Sequence, residues 1–161
     1  LDPHYMMKHM NDILTGNIEN QFATAAYALV DRAAMKVTYA RCGHEPLLVF
    51  KGGSGRIIEL TPAGRLIGFS METECETGTA DLDPGDRIIL YTDGVIEACN
   101  NDRMMFGKES LHRAIISHAD MTAAEFARTL TRLVHEWRGV GEKLEDDVTF
   151  VVVDILPDTA T

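Results

Sequence analysis

The stretch LDPGDRIILYTDGVIEACN, residues 82–100, and the later DDVTFVVV at 146–153 decide how the rest of the chain is read. Asp83-Pro84-Gly85-Asp86 is a turn signal, because proline presets φ and glycine accepts a positive one. Arg87 to Tyr91 is then a short apolar run with the length of a buried strand. It stops at Thr92-Asp93-Gly94. Val148 to Ile155 is a longer run of β-branched residues and predicts a central strand. Carboxylates therefore sit at two strand ends: Asp93 just past the first, Asp146 and Asp147 just before the second. If the strands pair antiparallel, the end of one lies beside the start of the other. Asp93 and Asp146 then meet at one sheet edge. Two carboxylates held close repel, so a proton or a cation must neutralise one of them. Hard divalent cations take oxygen ligands, and Mg(II) or Mn(II) suits an all-carboxylate set. The same aspartates also read as a plain turn residue and a plain strand-entry residue, and spacing alone leaves both readings open.

Working outward, Asp2-Pro3 opens a helix, a capping carboxylate followed by proline in the first turn. Met6, Met10, Ile13 and Leu14 are expected on its inner face. Phe22 to Val30 is apolar on both parities, as in a strand covered on both faces. Asp31 to Ala34 reads as a turn, and Met35, Val37 and Tyr39 alternate with Lys36 and Thr38 as in a half-buried strand. Leu47 to Phe50, the turn Gly52-Gly53-Ser54-Gly55, and Arg56 to Leu60 read as a hairpin. Glu72, Glu74 and Glu76 read as a solvated strand or flap edge. Beyond residue 100, Leu111, Ala114 and Ile115 share one helix face. Thr122 and Glu125 form a capping box ahead of the stripe Phe126, Leu130, Leu133, Val134, Trp137, and Gly139 and Gly141 end that helix. The order helix, strands, two helices, strand is α+β with largely antiparallel sheets.

The chain has 161 residues, about the size of one domain or slightly less. Its apolar fraction of 45% and charged fraction of 25% are those of a globular domain. The formal net charge is −10, which opposes binding to phosphate backbones or anionic lipid, so neither nucleic acid nor a membrane is expected as a partner. No apolar run approaches the ~18–20 residues of a membrane span. The first residue is Leu1, with no signal segment after it, so the chain reads as a piece of a longer cytoplasmic protein. Cys42, Cys75 and Cys99 fit neither a disulfide framework nor a Cys-x-x-Cys zinc site, and read as reduced thiols.

The two opening stretches, with FG at 106–107, FATAAYALVD at 22–31, ARCGHEPLLVF at 40–50 and RLIG at 65–68, resemble the sporulation stage II protein E (SpoIIE) type of bacterial phosphatase. This is a branch of the metal-dependent serine/threonine phosphatases of type 2C (PPM). The resemblance implies an αββα sandwich of two antiparallel sheets flanked by helices, over residues 1–156, with a tail at 157–161. It implies a pair of Mn(II) or Mg(II) ions between the sheets, activating a water for in-line attack on a phosphoserine or phosphothreonine protein. Asp93 and Asp146 would be metal ligands. Asp147 would sit beside them, and Gly94 would permit close backbone approach. His44 belongs to the family's GH turn, where a structural role is expected ahead of a general-acid one. The substrate typical of the branch is a phosphorylated STAS-fold anti-sigma-factor antagonist, in a partner switch, with a sensor or receiver domain preceding the phosphatase.

Domains of this type begin with two further strands and a helix carrying GD and GHG motifs, which supply the remaining metal ligands. Nothing in this chain matches them, so the expected unit is the C-terminal part of such a domain. That departure keeps a second reading in play, a non-catalytic regulatory or binding module of the same fold with an incomplete metal site. A third is an unrelated α+β binding domain with chance aspartates. Missing strands would also leave unpaired edges, so self-association, as a homodimer, is expected.

Overall fold

The computed structural model describes residues 2–15, 17, 21–71, 74–139 and 147–157. Its elements, in chain order, are α1 (Pro3–Leu14), β1 (Ala25–Asp31), β2 (Lys36–Cys42), β3 (Leu47–Lys51), β4 (Arg56–Leu60), β5 (Thr77–Asp81), β6 (Arg87–Tyr91), α2 (Asp93–Ile96), α3 (Gly107–Ser117), α4 (Ala123–Arg138) and β7 (Phe150–Asp154). The chain divides into two units, one of Leu1–Leu47 with Glu59–Leu82, the other of Leu48–Ile58 with Asp83–Thr161.

The first unit holds a three-stranded sheet in the order β1-β2-β5, with both pairings antiparallel. The β1–β2 turn is built by Asp31, whose Oδ1 accepts hydrogen bonds from the Ala33 and Ala34 N–H groups, each at 2.9 Å. Met35, expected in the following strand, belongs to this turn instead and carries φ +47°. Helix α1 packs on β1 and β2. Asp2 caps it by accepting from the His4 N–H at 3.0 Å, with Pro3 in the first turn. Its inner face matches the expected one in part, since Met10 and Leu14 pack against the core. Met7 and Asn11 are buried, whereas Ile13 is 54% exposed. The reason is polar. Asn11 Nδ2 donates to the Ser70 carbonyl at 2.8 Å and its Oδ1 accepts from Gly68 N–H at 2.9 Å, and this fixes the rotation of the helix. A buried amide satisfied on both sides is worth keeping in the core, because an unpaired one costs about 1–3 kcal/mol.

The second unit holds a four-stranded sheet in the order β4-β3-β6-β7, and a hydrophobic cluster built from one face of that sheet and the helices α2, α3 and α4. Leu48, Ile89 and Tyr91 supply buried residues from the strands, and Leu111, Ile115, Phe126, Leu130 and Val134 from the helices. Thr122 and Glu125 make the capping box: Thr122 Oγ1 accepts from Glu125 N–H at 3.3 Å, and Glu125 Oε2 accepts from Thr122 N–H at 2.9 Å. That backbone donor, ahead of the Thr122 hydroxyl, holds the Glu125 carboxyl below its usual range. Strand β7 corrects the expectation of a central strand. It stands last in the order, paired with β6, and Val151 and Val153 are 53% and 38% exposed. Phe150 and Val152 face the helices. β-branched residues suit any half-buried pleated surface, so their run signalled a strand and not its position. Among the described residues no helix is long and apolar enough to cross a membrane.

Candidate metal centre

The β6–β7 pairing is antiparallel, with Tyr91 opposite Phe150 and Arg87 opposite Asp154. At the Tyr91 end the ladder runs on past both strands. Thr92 N–H donates to the Thr149 carbonyl at 2.9 Å. Thr149 N–H donates back to Thr92 Oγ1 at 3.1 Å, and the Thr92 hydroxyl reaches the Asp147 carbonyl at 3.1 Å. Thr92 thus clamps the residues before β7 to the residues after β6. The short helix α2 starts at the next residue, held by Val95 and Ile96 in the core cluster.

Asp93 opens α2 and is exposed. Its Oδ1 accepts from Gly94 N–H at 3.0 Å, which orients the carboxylate. Gly94 is buried, and a Cβ there would lie 2.5 Å from the Asp147 carbonyl oxygen. Only glycine lets the two backbone segments approach this closely. Asp93, Gly94 and Asp147, singled out from sequence, therefore stand at one end of one sheet. Asp146 lies outside the described residues. His44 belongs to the other unit, where its carbonyl accepts from Arg41 Nη1 at 2.7 Å and its Nδ1 stands 3.5 Å from Thr24 Oγ1. Glu97 is exposed, and its N–H closes α2 on the Asp93 carbonyl at 2.8 Å.

The groups placed at this end are oxygens: the Asp93 carboxylate, the Thr92 hydroxyl and the Asp147 carbonyl. That chemistry fits a hard divalent cation and no soft one. Among the described residues no three or more histidine, cysteine, aspartate or glutamate side chains gather in a metal-holding group. Sequence reading missed Thr92 as the clamp, although its place directly before Asp93 was visible.

The opposite end of the same ladder went unread from sequence. Arg87 is buried and pairs with Asp154 through Nε–Oδ1 at 2.6 Å and Nη2–Oδ2 at 3.2 Å. It also donates to the Met121 and His118 carbonyls and lies 5.1 Å from the centre of the Phe126 ring. Asp154 accepts the Ala123 N–H at 2.6 Å. Nearby Asp86, also buried, accepts from Gly52 N–H at 3.0 Å, from Asp83 N–H at 2.8 Å and from Lys51.

Comparison with known proteins agrees with this architecture. The chain is 25% identical over 154 residues to the phosphoserine phosphatase RsbU of Bacillus subtilis, an alignment covering 95% of this chain and 45% of RsbU. It superposes on the SiaA-PP2C domain of Pseudomonas aeruginosa with a TM-score of 0.83 at 21% identity, covering 95% of this chain and 61% of that one. It superposes on the Mn-presoaked phosphatase domain of the cell-fate determinant SpoIIE from Bacillus subtilis with a TM-score of 0.69 at 22% identity, covering 99% and 68%. The chain thus spans less than half the length of the curated relative and has the fold of these phosphatase domains, two antiparallel sheets with helices. The family model for stage II sporulation protein E matches residues 1–156, and on that match the chain belongs to the SpoIIE family.

Proposed function

We propose that this chain is the metal-holding part of a protein serine/threonine phosphatase, with Asp93 and Asp146 as metal ligands. The observation that carries the reading is the Thr92 clamp, which sets Asp93 against the residues leading into β7, the strand that follows Asp146 and Asp147. Mn(II) or Mg(II), two ions in the complete domain, would supply Lewis acidity for phosphoester hydrolysis. The chain's own residues do the rest. Asp93 presents its free carboxylate oxygen, with the other oxygen held by Gly94 N–H. Gly94 leaves room for the Asp147 carbonyl, and Thr92 prevents the two segments from parting. Asp147 supports the site from beside it.

The substrate class is a phosphoserine or phosphothreonine protein, and RsbU is named a phosphoserine phosphatase. A phosphorylated STAS-fold anti-sigma-factor antagonist, in a partner switch downstream of a sensor or receiver domain, is the specific form of this reading. The test is phosphate release from such a phosphoprotein by the protein with and without Mn(II). Activity should need the metal. Asp93→Asn and Asp146→Asn should each lower it by more than the ~10–100-fold typical of a change beside a metal site. Full activity in either variant would sink the assignment. A non-catalytic module of the same fold with an incomplete metal site is the second reading, and it rests on the lack of a match to the GD and GHG motifs in this sequence. Metal-independent binding of the phosphoprotein without turnover would select it.

A further inference from the structure

Cys42 ends β2 and Cys75 stands two residues before β5. The β2–β5 register pairs Ala40 with Thr77. Counting on two residues in each strand reaches Cys42 and Cys75, so both keep the parity of that pair. Their Sγ atoms lie 3.2 Å apart, with Cys42 donating to Cys75. Both are buried, at 0% and 3% exposure. Gly64 makes the approach possible. It bridges to Cys75, and a Cβ on it would lie 1.8 Å from the Arg41 carbonyl oxygen.

The two thiols are not equivalent. Cys75 lines a pocket of about 610 Å³ together with His4, Arg65 and Glu74, and Cys42 does not. His4 Nδ1–H donates to the Cys75 carbonyl at 2.6 Å. The hydrogen bond from Cys42, with help from the His4 charge, holds the Cys75 thiol below its ordinary range. The same hydrogen bond and burial push Cys42 up. Cys75 is therefore the member of the pair that faces the pocket, and thiolate character with access governs thiol oxidation.

We propose that Cys42 and Cys75 form a reversible oxidation site, converted by a hydroperoxide to an intramolecular disulfide. The Cys75 sulfur attacks a peroxide oxygen, the O–O bond breaks, Cys75 becomes a sulfenic acid, and the proton it gives up leaves with the other oxygen as water. Cys42 sulfur then attacks Cys75 sulfur, the S–S bond forms, the S–O bond breaks, and the Cys42 proton leaves with the oxygen as water. The two sulfurs lose two electrons, the peroxide gains them, and two waters form from hydrogen peroxide. The bond would tie the end of β2 to the segment entering β5. A dithiol reductant reverses it by thiol–disulfide exchange.

Cys99 is the internal control, since it lies in the other unit with its Sγ donating to the Glu97 carbonyl at 3.3 Å. The experiment treats the whole chain with hydrogen peroxide, then counts thiols under denaturing conditions and maps peptides without reduction. Of three thiols, one should remain. A Cys42–Cys75 cross-linked peptide should appear and vanish with dithiothreitol. Cys42→Ser should stop at a Cys75 sulfenic acid, trapped by a dimedone-type reagent, and Cys99→Ser should behave as the parent chain. Three thiols remaining after treatment, or a disulfide formed mainly through Cys99, would overturn the proposal.

Discussion

At one end of the β6–β7 ladder buried Arg87 faces the half-buried Asp154, and the carboxylates of Asp154 and Asp86 are both ion-paired. At the other end Asp93 points to solvent, and among the described residues no lysine or arginine is ion-paired to it. The same two strands thus treat acidic groups in opposite ways. A buried ion pair is held by complementary partners, because leaving either charge alone in the interior is expensive. An exposed carboxylate oriented only by a backbone N–H has no such internal partner. The contrast is that the first end serves the fold, whereas the second carries the proposed cation site.

The largest effect on stability should come from the closed end. Arg87→Met leaves Asp154 without its guanidinium and the Met121 carbonyl without its Arg87 donor, and should destabilise by about 3–5 kcal/mol. Replacing both, Arg87→Met with Asp154→Leu, should recover much of that loss in urea unfolding. A double variant as unstable as the single one would show that the charges do more than satisfy each other. Gly94→Ala comes next. Its Cβ would meet backbone, which yields less readily than a side chain, so about 1–3 kcal/mol is expected, together with loosened metal binding. Asp93→Asn should move stability least, within about 0.5 kcal/mol, because it keeps the Oδ1 acceptor for Gly94 N–H. A large loss there would make Asp93 a structural residue and erase the difference between the ends.

The open end was legible before the structure because its parts are local. Thr92, Asp93 and Gly94 are consecutive, and the antiparallel pairing needed only two β-rich runs to be recognised. The closed end was not legible. Arg87 and Asp154 are 67 positions apart, and only the register brings them together. Cys42 and Cys75, 33 positions apart, were hidden in the same way. Helix α1 was placed correctly by its cap, and Met10 and Leu14 face the core as expected, but hydrophobicity favoured Ile13 where Asn11 does the anchoring. Val148 to Ile155 announced a strand, but β-branching carries no mark that distinguishes the last strand of a sheet from a middle one.

The most direct measurement is Mn(II) binding followed by electron paramagnetic resonance, comparing the parent chain with Asp93→Asn and with Glu136→Gln, which removes an equal charge from an exposed helical ion pair. The parent and Glu136→Gln should bind alike, and Asp93→Asn should bind at least ~10-fold more weakly. Equal binding by all three, or none by the parent chain, would contradict the assignment of this sheet end as a metal site.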